Sequence, residues 1–267
     1  MKKYYIFYGK PRARLEEILL DLSPLHPDIT HTIAHKENNQ ISLGAFVAAE
    51  EPFPPFTHIE RYELYDEEVD WAEQWQAFSP YYKEGVIEIP LSDFHPHSPL
   101  LQLKPGPGFG DLSHPTTYLM LQMMGQYVPH HGVLDVGCGS GILSLAAALM
   151  DATIVQGIDI DEKALCHAEE NACFNNLQKR VFFSPKLNPA LFADKDNVLL
   201  MNMTFAEQKT AWETIEEHSC LFSILLCSGI LTEQKNTYIN WMQSKNFKIK
   251  ESRNKDKWTG CIFEKML

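Results

Sequence analysis

The chain has 267 residues, 45% hydrophobic and 22% charged, enough for one large α/β domain, a smaller companion and a substantial core. Its formal net charge of −12 argues against a phosphate-binding surface and suits a basic protein partner, whose field would steer encounter. No secretory leader and no long apolar run is present, and the six cysteines form no C-x-x-C pair. The expectation is a cytoplasmic protein, off the membrane, with neither disulfides nor a zinc site.

Residues 1–65 read as a small α+β module. Tyr4–Tyr8 is aromatic and β-prone, Pro11–Leu22 has helical spacing, and Ile29–His35 and Gln40–Ala48 are strands joined at Asn38-Asn39. After the proline-rich Glu51–Phe56, His58–Leu64 alternates as a further strand. Two or three strands with one helix make a docking module that carries no residue set for chemistry. From Glu60 to Glu73 acids outnumber Arg61, as on a solvated face. Asp70 caps a short helix with Trp71, Trp75 and Phe78 on one stripe. Residues 66–98 are therefore a linker, with a strand at Val86–Leu91 and a turn at His95-Pro96-His97.

Leu103–Thr117 is dense in glycine and proline and reads as an ordered loop, with Pro115 opening a helix that runs to Tyr127. On composition alone His114 is a structural hydrogen-bonder. The stretch that organises the chain is Gly132–Asp161, GVLDVGCGSGILSLAAALMDATIVQGIDID. A short strand carrying Asp135 runs into three alternate glycines, Gly137, Gly139 and Gly141, and then into the helix formers ILSLAAALM. Glycine permits a sharp turn and close ligand approach, and the helix start is expected to offer free N–H groups. The next strand, Thr153–Ile158, ends at Asp159, an acceptor for both hydroxyls of a ribose. A dinucleotide fingerprint would need glycine where Ile142 stands. The observed D-x-G-x-G-x-G suits a nucleoside without pyrophosphate, and S-adenosylmethionine is the candidate.

Beyond it, helices at Asp161–Asn175, Glu207–His218 and Thr232–Ser244 alternate with strands at Val181–Ser184, Val198–Met203 and Phe222–Cys227. Phe247–Arg253 and Trp258–Lys265 close the chain as a hairpin. That order gives an α/β, doubly wound, mostly parallel sheet with an antiparallel edge strand, and Gly137, Asp159 and Asn202 at strand carboxyl ends around one crevice. The basic residues between Lys245 and Lys257 read as a guarded sheet edge.

Together GFGxxxHPTT, VLDVGCGSGILS, GIDID, the helix containing AEENA, Asn202-Met203 and CSGIL resemble the ribosomal protein L-eleven methyltransferases (PrmA-type) over about residues 100–267. DWAEQW resembles that family's linker helix; residues 1–65 match only in size and position. The resemblance implies a seven-stranded Rossmann-like methyltransferase domain over 99–267 behind an N-terminal α+β substrate-docking domain. It implies N-methylation of a basic large-subunit ribosomal protein, S-adenosylmethionine as donor, no metal, and a monomer. Carried over by position, the cofactor contacts are Thr117, Gly137, Asp159 and Asn202, with Phe109 and His114 in the same pocket. Asp135, Gly139, Gly141 and Ile160 complete the expected cofactor set, and Asn202 and His114 are the expected catalytic residues.

Where that family carries G-T-G-x-H, this chain reads Gly110-Asp111-Leu112-Ser113-His114, and Asp111 is a candidate to attract a substrate ammonium. Two alternatives stand beside this reading. One is a methyltransferase for another protein or a small molecule, although an amide or adenine enzyme would carry an N/D-P-P-Y/F strand end instead of Asn202-Met203-Thr204-Phe205. The other is a non-catalytic binding module that keeps the fold.

Overall fold

The computed structural model describes residues 3–25, 27–35, 40–48, 52–64, 79–192 and 196–266. The turn expected at Asn38-Asn39, the acids from Asp66 onward and the helix expected over Asp70–Phe78 lie outside the described residues. Contacts divide the chain into two compact units, Met1–Asp70 and Trp71–Leu267.

In the first unit β1 (Lys3–Gly9), α1 (Leu15–Leu22), β2 (Asp28–His35), β3 (Gln40–Val47) and β4 (Ile59–Leu64) build an antiparallel sheet in the order β2-β3-β1-β4. That is a strand more than expected, because β1 is central and pairs with both β3 and β4. Tyr5, Phe7, Leu43 and Ala45 are buried against Ile18 and Leu22 of α1. The helix starts at Leu15 rather than Pro11: Arg12 is left-handed (φ 70°), and the Glu17 carboxylate reaches back to accept from Arg14 N at 2.8 Å.

The second unit opens with a small antiparallel sheet of β5 (Tyr82–Lys83), β6 (Val86–Pro90) and β7 (Leu100–Leu103). Only β6 was legible, since β5 has two residues and β7 runs straight into the glycine–proline loop. Ile87, Ile89, Leu101 and Leu103 join the core of the main sheet. That sheet comprises β8 (Gly132–Val136), β9 (Ile154–Ile158), β10 (Val181–Ser184), β11 (Asn197–Asn202), β12 (Phe222–Leu231), β13 (Phe247–Lys255) and β14 (Trp258–Lys265). The helices are α2 (Pro115–Tyr127), α3 (Ile142–Leu149), α4 (Glu162–Phe174), α5 (Phe205–Ile215) and α6 (Lys235–Ser244).

Strand order is β10-β9-β8-β11-β12-β14-β13, with β14 antiparallel to both neighbours. Alternation sorts the strands between two cores. Val133, Val155, Val198 and Leu200 pack with α2 and α3, while Leu134, Val136, Leu199 and Met201 pack with α5 and α6. The result is a doubly wound, seven-stranded Rossmann-like sheet. Its order reverses between β8 and β11, which puts the ligand crevice at their carboxyl ends.

Two boundaries differ for identifiable reasons. Helix α5 begins at Phe205, not Glu207, because Thr204 is the N-cap and pairs with Glu207 in a capping box. Strand β12 runs on to Leu231, past a register shift between Cys227 and Ile230 where Gly229 is left-handed (φ 88°).

Candidate cofactor site

All three alternate glycines are left-handed: φ is 72° at Gly137, 55° at Gly139 and 80° at Gly141. Their missing Cβ atoms make room for the chain itself. A Cβ at Gly137 would meet Met203 Cε at 2.4 Å, one at Gly139 the Phe109 carbonyl oxygen at 2.5 Å, and one at Gly141 Ala168 and Phe183 at 3.1 Å. The amides of the turn itself bond within the chain. Gly137 and Cys138 donate to the Ile158 carbonyl, Gly139 to Asp159, Ser140 to the Phe109 carbonyl and Gly141 to the Cys138 carbonyl. The turn is thus a floor held by the chain's own bonds, with Asp159 at its edge.

Asp159 sits half-buried at the end of β9. One carboxylate oxygen accepts from Gly139 N at 3.0 Å and the other from Asp161 N at 3.1 Å. Ile160 beside it is 94% exposed, a bare aliphatic surface. Asp135 lies one layer beneath: it is 1% exposed, and Ser144 Oγ donates to it at 2.6 Å. Burial, helped by the charge of Asp159 and opposed by the Ser144 hydrogen bond, pushes its pKa up to about 7. Asp135 is therefore a buried support, without the exposed edge that Asp159 has.

The loop between β7 and α2 lies directly on this floor. A Cβ at Gly108 would meet Ser140 N at 2.5 Å, and Ser140 Oγ donates to the Gly110 carbonyl at 2.7 Å. Leu112 is left-handed (φ 67°) and 5% exposed. The backbone path that a glycine would take is kept, and the leucine side chain is sunk into the core. Asp111 Oδ1 accepts from Ser113 N and Oγ, which folds the loop locally.

His114 is the N-cap of α2, with Pro115 in the first turn; its Nδ1 accepts from Thr116 N. Its ring packs edgewise between Phe109 (5.8 Å) and Trp258 (5.0 Å), and burial holds its pKa below the ordinary histidine value. Phe109 remains 54% exposed. Trp258 was not anticipated. It stands at the start of β14 opposite Leu231, and only the pairing of β12 with β14 brings it to His114.

The far side of the crevice is the end of β11. Gln208 Nε2 donates to the carbonyls of Met203 (2.8 Å) and Ser228 (2.9 Å), and Tyr238 Oη donates to Gln208 Oε1. Gly229 lets β12 pass the Met203 backbone, where a Cβ would sit 2.1 Å from the carbonyl oxygen. The sequence did hold a signal for Gln208: it is the one polar member of the buried stripe Phe205, Gln208, Trp212, Ile215.

Among the described residues, the buried polar atoms without a hydrogen-bond partner include Thr117 Oγ1 on α2 and Asn202 Oδ1 at the end of β11. An unpaired buried polar atom costs about 1–3 kcal/mol, so at each of these a polar partner from outside the chain would be favoured. With the half-exposed carboxylate of Asp159 and the aliphatic face of Ile160, they match the hydroxyls, base and amino-acid end of an adenosyl sulfonium. The residues fit that cofactor. No cluster of three or more metal-binding side chains occurs among the described residues.

Comparison with known proteins agrees with this geometry. The family model described as Ribosomal protein L11 methyltransferase (PrmA) matches residues 23–266. The chain is 33% identical over 196 residues to the ribosomal protein L11 methyltransferase of Dictyoglomus thermophilum, covering 72% of this chain and 64% of that one. It is 38% identical over 187 residues to that of Chromobacterium violaceum, covering 66% and 61%. The matched region thus spans less than two thirds of either relative. The crystal structure of a ribosomal protein L11 methylase from Lactobacillus delbrueckii subsp. bulgaricus superposes with a TM-score of 0.53 at 25% identity, covering 62% of this chain and 84% of that one. With a family model matched along nearly its whole length and the same seven-stranded fold, the chain belongs to the PrmA ribosomal protein L11 methyltransferase family.

Proposed function

We propose that the chain is an S-adenosylmethionine-dependent protein N-methyltransferase acting on amino groups of a large-subunit ribosomal protein of the L11 type. The observation that carries the cofactor half is the pair of partnerless atoms, Thr117 Oγ1 and Asn202 Oδ1, taken with the Asp159 carboxylate bonded to the glycine turn. Family membership and the acidic chain, with net charge −12, support a basic ribosomal substrate. Residues 1–65 are read as the substrate-docking domain, 66–98 as the linker and 99–267 as the catalytic domain.

S-adenosylmethionine supplies an electrophilic methyl group on a sulfonium. Asp159 would accept the ribose hydroxyls, Ile160 would cover a face of the base, and Thr117 and Asn202 would bond the remaining polar groups; Gly137, Gly139 and Gly141 shape the floor, and Asp135 supports it. The protein's part in methyl transfer is alignment, since an in-line displacement depends chiefly on holding a near-attack geometry. The attacking amine must be neutral. A lysine with pKa about 10.4 costs about 4–5 kcal/mol to deprotonate at pH 7, and the apolar wall of Phe109, His114 and Trp258 lowers that cost by desolvation. Asn202 can orient the amine but cannot take its proton. His114 accepts at Nδ1 from its own helix, so in the neutral ring Nε2 carries the proton. It acts as a wall and a donor, and the amine's proton leaves to solvent.

The test is incubation with methyl-labelled donor and the purified ribosomal protein. Label on that protein at amino groups is expected. Label only on other lysate proteins would replace the substrate, and donor binding without any transfer would leave a binding module.

A further inference from the structure

Helix α4 and its C-cap present His167, Asn171 and Asn175 at four-residue spacing, and all three bond the chain segment that leads to the cofactor loop. Asn175 pairs with both N and O of Gln102 at 3.0 and 2.6 Å. Asn171 Oδ1 accepts from Lys104 N at 2.8 Å, and its Nδ2 donates to the Ser140 carbonyl at 3.0 Å. His167 ends the ladder: Nε2 meets the Lys104 carbonyl at 2.8 Å, and Nδ1 accepts from Gly108 N at 3.1 Å. Its ring fills the space where a Cβ of Gly106 would stand, 2.4 Å from the ring atoms. Opposite that ring the loop touches the cofactor turn, through Gly108 on Ser140 and the Phe109 carbonyl on Ser140 N.

We propose that His167 is a positioning residue for cofactor binding, a protonation-sensitive latch that holds the Lys104–Gly110 loop on the glycine turn only while its ring is neutral. The inference rests on the cofactor reading above. The bond from Gly108 N–H requires the lone pair on Nδ1, which leaves hydrogen on Nε2 for the Lys104 carbonyl; Asn171 Nδ2, 3.2 Å from Nε2, donates to the Ser140 carbonyl. A proton added to Nδ1 sets two donors against each other and frees the loop at Gly108. Burial keeps His167 below the ordinary histidine pKa, opposed by its bond to the Lys104 carbonyl and by Glu170. His167 is 4% exposed and lines a surface pocket together with Pro105, Pro107, Glu162, Lys163 and Cys166. The charged and titratable groups around the ring are therefore Glu162, Lys163, Cys166 and Glu170 of α4 and Lys104 of the loop. The glycine turn brings Cys138, whose thiol burial keeps protonated.

The experiment compares wild type with His167→Asn, whose side-chain oxygen can still accept from Gly108 but does not titrate. S-adenosylmethionine affinity is measured by calorimetry between pH 5 and pH 8, and Gly108 amide exchange is followed without ligand. Asp135 and His114 titrate in both proteins and cancel in the ratio. Wild-type affinity relative to the variant is expected to fall about five- to tenfold toward pH 5, with faster Gly108 exchange, the loss of one buried hydrogen bond. Parallel affinity profiles with equal Gly108 exchange at every pH overturn the latch. If neither protein binds the donor at any pH, the cofactor reading falls and the exchange comparison still decides the latch. Should the variant not fold, an NMR titration of wild-type His167 serves: loss of Gly108 protection must follow that ring's own titration, and protection indifferent to it overturns the proposal.

Discussion

Asp159 accepts a hydrogen bond from Gly139 N at 3.0 Å, so the carboxylate proposed to hold the ribose also holds the glycine turn in shape. Asp159→Ala removes both functions. Charge-assisted hydrogen bonds contribute about 1.5–3 kcal/mol, so S-adenosylmethionine affinity is expected to fall roughly tenfold to a hundredfold. Calorimetric titration checks this, and an unchanged dissociation constant removes Asp159 from the site.

Thr117→Val separates ligand binding from stability. The hydroxyl is buried without a partner, and valine keeps the shape while removing the unsatisfied atom. Stability should stay within about 1 kcal/mol of wild type or rise, while donor affinity falls about threefold to tenfold. Denaturant unfolding with a parallel binding titration reads both. A stability loss with affinity intact would show that the hydroxyl serves the fold.

Asp135→Asn should be pH-dependent in its effect. Burial raises the folded pKa to about 7 from the ordinary carboxylate value of 3.8, so the folded state binds the extra proton between these values. The stability this group contributes is present at low pH and is lost as pH rises through about 7. An asparagine keeps an acceptor for Ser144 without that loss. Its advantage over wild type should therefore grow by about 2 kcal/mol between pH 5 and pH 8. Urea unfolding at the two pH values measures the difference, and equal offsets would contradict the buried, raised carboxyl.

Leu112 sets two effects against each other. Its left-handed backbone costs about 1–2 kcal/mol, which glycine would relieve. Its side chain is 5% exposed in the core beneath the loop, and deleting a buried leucine costs about 2–5 kcal/mol. Burial wins, and Leu112→Gly is expected to destabilise by about 1–3 kcal/mol, readable by thermal unfolding. A more stable variant would show that strain dominates.

The parts of the site readable in advance were those written in local periodicity. Asp135, the alternate glycines and Asp159 follow from strand–turn–helix order, and their left-handed conformations follow from glycine itself. What those glycines accommodate was not readable, because Met203, Phe109 and Phe183 arrive from distant elements. Polar residues at His167, Asn171 and Asn175 look like a solvated helix face until the loop is laid along them. Trp258 reaches His114 only through the register of an antiparallel pair, which no local pattern fixes. In the N-terminal unit each strand could be named, but not the central place of β1, which makes one sheet of four.

The central claim is that the crevice above Gly137–Gly141 holds the methyl donor between Asp159, Thr117 and Asn202. A crystal structure of the chain with S-adenosylmethionine tests it most directly. The account predicts density there, with the ribose on the Asp159 carboxylate and ligand atoms within hydrogen-bond reach of Thr117 Oγ1 and Asn202 Oδ1. Density bound elsewhere, or a crevice left empty at saturating donor with both atoms still unpartnered, would contradict it.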